Sequence, residues 1–85
     1  MAERRVTVES EVGLHARPAA LFVEAAAAAS GEATVAKEGG AAVSAKSILA
    51  VMGLDVRNGD EIVLRVDGDG ADAVLDRMAA AANAG

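Results

Sequence analysis

The sequence predicts an α+β fold in two layers, an antiparallel four-stranded sheet with helices packed on one side. Three observations lead there. Apolar patterning gives the element order strand, helix, strand, strand, helix, strand, helix. Two of the strands are joined by a tight turn at Gly39-Gly40, whereas parallel neighbours need a long crossover. The strands alternate apolar with polar residues, so the sheet has one buried face and one wet face.

Taken in order, Arg4, Val6 and Val8 alternate with Arg5, Thr7 and Glu9 as a half-buried strand. Pro18, Leu21, Phe22, Ala25 and Ala29 then fall on one face at helical spacing. Pro18 is expected to start this helix and Ser30-Gly31 to end it, with Gly31 in a left-handed position. A strand follows over Glu32 to Lys37, with Ala33 and Val35 on one face, and Ala41 to Ser44 returns beside it. Ser47 is expected to cap a short apolar helix, Ile48 to Met52, closed by Gly53. Arg57-Asn58-Gly59-Asp60 turns the chain into a strand from Glu61 to Val66, whose Ile62, Leu64 and Val66 face inward. Asp67-Gly68-Asp69-Gly70 leads to a last helix with an apolar stripe of Ala71, Val74, Leu75, Met78 and Ala82.

Composition narrows the function. The 85 residues make one small domain over 1–85, burying only about 60% of the surface its unfolded chain exposes. The core must come from aliphatic residues and close-packed alanine, because Phe22 is the sole aromatic. A net charge of −5 argues against non-specific nucleic-acid binding and against a polybasic membrane anchor. With no cysteine there is no disulfide framework, thiol chemistry or Cys-ligated zinc. No apolar run approaches the roughly 20 residues that span a bilayer, and Met1 to Arg5 leads into a strand rather than a signal segment. A cytoplasmic, monomeric domain is the expectation.

Chemistry concentrates in Gly13-Leu14-His15-Ala16-Arg17-Pro18-Ala19-Ala20, which holds the only histidine and the only proline. A lone histidine in a small domain is ordinarily a surface or satisfied core residue. Here it stands at a helix N-terminus, where free N–H groups and the helix dipole favour an anion. A nucleophilic imidazole beside a planar guanidinium, Arg17, is arranged to carry a phosphoryl group. The backbone at Ala16 and Arg17 is the expected phosphate-binding turn. Other motifs fail. Asp67-Gly68-Asp69-Gly70 lacks the bidentate Glu of a calcium loop, having Met78 there instead, and there is no Walker-type glycine loop.

Two blocks carry a family resemblance. Gly13 to Ala19 resembles the active-centre signature of HPr, the histidine-containing phosphocarrier family of the bacterial phosphoenolpyruvate:sugar phosphotransferase system. Ser44-Ala45-Lys46-Ser47-Ile48-Leu49, followed by Leu54 and Asn58-Gly59, resembles that family's second conserved block. The resemblance spans essentially the whole chain. It implies an open-faced β-sandwich of order β-α-β-β-α-β-α, with three helices on one face of the sheet. It further implies that enzyme I phosphorylates His15 on Nδ1 and that the phosphoryl group passes to sugar-specific IIA proteins. The cofactor expectation is accordingly none, beyond the covalent phosphoryl group itself, with no metal.

By the same resemblance, Ala16, Arg17, Ala20, Ile48, Leu49 and Met52 form the face that both partners bind. The short helix after Ser47 cannot bury all its apolar residues, which agrees with an exposed patch. Ser47 has a structural role as a cap; in some relatives the matching serine is a regulatory site of an ATP-dependent kinase and its phosphatase. The chain departs from the pattern in two places. Ser47 lies one residue later than in many relatives, which assigns an extra residue near Gly39 to Ala42, and Asp55 stands where glycine is frequent. Specialised carriers of a nitrogen branch and a docking-only module of the same fold are the alternative readings.

Overall fold

The computed structural model describes residues 2–84. Its elements are β1 (Ala2–Thr7), α1 (Ala16–Ala26), β2 (Ala33–Lys37), β3 (Val43–Ser44), α2 (Ile48–Gly53), β4 (Glu61–Val66) and α3 (Ala71–Ala82). The four strands form one antiparallel sheet in the order β1-β4-β2-β3, with all three helices on one face. The expected order of elements and their layering hold.

Register explains which side chains meet the helices. Val6 lies opposite Ile62, Val35 opposite Leu64, and Ala33 opposite Val66. These residues point to the helix layer, where Val35, Ile62, Leu64 and Val66 are fully buried. From the helices come Phe22 and Ala26 of α1, Val51 of α2, and Leu75 and Met78 of α3. Burying Phe22 alone contributes about 2–3 kcal/mol of transfer free energy. The opposite face is open and charged. Glu3 accepts from Arg65 across β1 and β4 at 2.9 Å, and Arg5 pairs with Glu38 and Glu61. At the edge of the helix layer, Arg4 pairs with Asp76 of α3.

Several boundaries differ from those read in the sequence. β1 ends at Thr7, and Val8 continues into the core as part of the following loop, its N–H donating to the Asp60 carbonyl at 2.9 Å. Helix α1 begins two residues before Pro18, which occupies its first turn rather than its first position, a place equally tolerant of a missing N–H. It ends at Ala26, and the chain runs on through tighter turns to Ala29. Gly31 is not left-handed. It is needed because a Cβ there would stand 2.8 Å from the Asp67 carbonyl oxygen, where the neighbouring loops cross. The return strand shrinks to Val43–Ser44, and residues 38–42 form a loop turned at Gly39. Gly53 lies inside α2, and the left-handed residue after that helix is Asp55, at φ 55°.

Candidate functional site

The site is built where two loops meet. Before α1, Gly13 takes a left-handed φ of 69° and donates its N–H to the Ser10 carbonyl at 3.0 Å. Leu14 then donates to the Val56 carbonyl at 2.9 Å and drives its side chain into the core. After α2, Asn58 reaches back and donates through Nδ2 to the carbonyls of Glu9 and Ser10 at 3.0 and 3.3 Å. The Gly59 N–H donates to the Val8 carbonyl at 2.7 Å. From the end of α3, Asn83 accepts the Glu9 N–H at 2.7 Å. The loop that carries the histidine is thus tied to both of its neighbours.

His15 is the N-cap of α1, with extended backbone and a carbonyl that accepts the Ala19 N–H at 3.4 Å. Its imidazole makes no capping hydrogen bond and is about a third exposed, at 36%. The next residue, Ala16, is left-handed at φ 49°, a conformation that costs an L-residue about 1–2 kcal/mol. The cost is borne at the one place where the chain must bury Leu14, keep His15 at the surface and enter a helix within three residues. The first N–H groups of that helix have no partner within it. Arg17 is exposed, and among the described residues no carboxylate lies within ion-pair distance of it. Ala16 and Ala20 are exposed on the same helix start. An imidazole, the first N–H groups of α1 and a guanidinium with no carboxylate partner among the described residues are therefore carried on one helix start.

Helix α2 packs beside α1 and presents the apolar residues expected at the surface. Leu49 is 81% exposed, and Ile48 and Met52 are also exposed, whereas Val51 is fully buried. Ser47 caps α2 through its hydroxyl, which accepts the Ala50 N–H at 3.3 Å. Val12, just upstream of the histidine, is another exposed apolar residue, one the sequence did not mark. Two surface hollows lie away from this region, one on the open face of the sheet between Arg5, Lys37 and Arg65, the other beside Asp67 to Gly70.

One neighbour of the histidine was not legible as such. Asp55 Oδ1 lies 3.6 Å from His15 Nε2, and its Oδ2 accepts from Arg57 Nη2 at 2.9 Å. The Arg57 hydrogen bond and charge hold the Asp55 carboxyl below the usual carboxylate range, with smaller help from Lys37 and His15. Lys37 also donates to the Asp55 carbonyl at 3.2 Å and pairs with Asp60, whose carboxylate accepts the Arg57 N–H at 2.9 Å. The only sign in the sequence is an acidic residue in the place of a glycine.

The model of a phosphotransferase-system HPr family, described as the PTS HPr component phosphorylation site, matches residues 2–84. The chain belongs to the HPr family. It is 54% identical to the phosphocarrier protein HPr of Streptomyces coelicolor over 79 residues, covering 93% of this chain and 85% of that one. It is 39% identical to the HPr-like protein Crh of Bacillus subtilis over 80 residues, covering 94% and 93%. The fold matches the crystal structure of an HPr from Bacillus anthracis with a TM-score of 0.87 at 36% identity, over 96% of each chain. As an HPr-family protein it shares the four-stranded antiparallel open sheet with three helices. Among the described residues no helix is long and apolar enough to cross a membrane.

Proposed function

We propose that this chain is a phosphocarrier that takes a phosphoryl group from enzyme I onto His15 Nδ1 and gives it to sugar-specific IIA proteins. The observation that carries this reading is the placement of a partly exposed His15 at the head of α1, two residues before an exposed Arg17 that has no carboxylate partner among the described residues. Phosphoryl transfer asks chiefly for in-line positioning and charge neutralisation. Arg17 and the first N–H groups of α1 supply donors for the phosphoryl oxygens, and the imidazole supplies the nucleophile.

Docking follows from the same surface. Ala16, Arg17, Ala20, Ile48, Leu49 and Met52 would form one partner face, apolar at α2 and basic at Arg17, and met by enzyme I and IIA proteins in turn. Methionine adapts to differently shaped partners. A phosphate added to Ser47 by a kinase would sit at the first turn of α2, beside Ile48 and Leu49, and would add negative charge to that face. We assign the protein to the cytoplasm as a monomer.

The test is the intact mass after incubation with phosphoenolpyruvate, magnesium and a cognate enzyme I. The expected result is a gain of one acid-labile phosphate, absent from His15→Ala, whose circular dichroism stays that of the folded protein. No gain in the unaltered protein would overturn the reading. A docking-only module would instead tolerate His15→Ala and lose function on Leu49→Asp.

A further inference from the structure

Asp55 lies at ion-pair distance from the one imidazole nitrogen that the proposed transfer does not use. Its Oδ1 is 3.6 Å from His15 Nε2, and its other oxygen is fixed by Arg57 at 2.9 Å. The backbone of Asp55 is fixed as well, because Lys37 holds its carbonyl at 3.2 Å. Asp55 holds this position in a left-handed conformation, φ 55°, that glycine adopts without a Cβ penalty. Aspartate is among the few side chains that tolerate this conformation, and here its carboxylate reaches the histidine.

Resting on the carrier reading above, we propose that Asp55 is a positioning residue for His15, holding the ring as the Nε2–H tautomer so that the Nδ1 lone pair faces the incoming phosphorus. A neutral imidazole carries one proton on either nitrogen, and the nitrogen without it is the nucleophile. A carboxylate beside Nε2 favours the proton there. In the transfer, Nδ1 forms the new N–P bond while the donor's bond to phosphorus breaks, its electron pair leaving with the donor. The ring keeps its Nε2 proton and becomes cationic, and Asp55 is the counter-charge. The same charge keeps that proton in place during onward transfer, when the N–P bond breaks and the electron pair returns to Nδ1. Arg57 holds the carboxylate on the Nε2 side of the ring.

Two variants separate charge from backbone. Asp55→Asn keeps the shape and tolerates the left-handed conformation, whereas Asp55→Gly removes the side chain and relieves the conformation. Two quantities are compared with the unaltered protein: the imidazole ¹⁵N chemical shifts with the ring neutral, and the initial rate of phosphate gain from enzyme I. Both variants are expected to raise the Nδ1–H tautomer fraction, Asp55→Gly more than Asp55→Asn. Both are expected to slow phosphate gain by about two- to fivefold, the range an exposed ion pair supports. Asp55→Gly is expected to do so while still unfolding in a single cooperative transition, as a folded protein does. Unchanged tautomer shifts in both variants, with the unaltered protein phosphorylated normally, would overturn the role of Asp55 alone. A failure of the unaltered protein to gain phosphate would overturn the carrier reading, and the transfer role with it, whatever the shifts show.

Discussion

Gly13 and Val56 pack backbone against backbone: a Cβ on Gly13 would stand 2.3 Å from the Val56 carbonyl oxygen and 2.8 Å from the Arg57 Cα. Neither atom can yield as a flexible side chain would, and Gly13 is also left-handed at φ 69°. Gly13→Ala should therefore lose at least about 2 kcal/mol in urea denaturation. Gly39 provides the comparison, since it is left-handed at φ 81° with nothing within 4 Å of a Cβ. Gly39→Ala should lose only the conformational part, about 1–2 kcal/mol. Equal losses at the two sites would show that the loops do not approach as closely as described.

Ser47 closes the start of α2 through the Ala50 N–H at 3.3 Å. Ser47→Ala should cost about 1 kcal/mol, and Ser47→Asn should recover most of it, since both side chains cap. Chemical denaturation of the three proteins checks this. A loss well beyond the capping range would mean that Ser47 supports the core and not only the helix end.

Asp55 and Asp60, in the loop after α2, should contribute to the acid sensitivity of the fold. The Arg57 N–H and Lys37 hold the Asp60 carboxyl below its ordinary value of 3.8, and Asp55 is lowered in the same way by Arg57. A carboxyl lowered on folding stabilises the native state fully above its unfolded value, and that contribution is lost as pH falls through the folded value. Thermal unfolding should therefore show stability falling as pH drops below about 4. Asp60→Asn should be less stable than the unaltered protein at neutral pH and show a shallower fall in acid. Identical acid profiles for the two proteins would refute the assignment.

Much of the fold and part of the site were legible in the sequence, for identifiable reasons. β4 reads as a strand because Ile62, Leu64 and Val66 alternate with polar or half-buried residues, and they prove to be fully buried. Ser47 reads as a cap because a hydroxyl before a short apolar run has few other uses. Gly31 departs from its expected left-handed role because sequence shows a glycine but not whether its freedom or its smallness is needed. Here it is smallness, set by Asp67 on a remote loop. The strand order arises from pairings between segments far apart in the chain, and the Asp55–His15 approach from loops that Leu14, Asn58 and Gly59 tie together. No local pattern encodes such ties.

His15 stands about a third exposed at the head of a helix, with Ala16, Arg17 and Ala20 open around it. A cargo carried so openly belongs to whichever protein covers it. On the proposed reading, giver and receiver must each place a hollow over the same small knob, so the two exclude one another. No three-body relay can form; the protein has to let go of one before it meets the other. On that reading release from one partner precedes every new encounter, and a change that tightened either embrace would lengthen the wait between them.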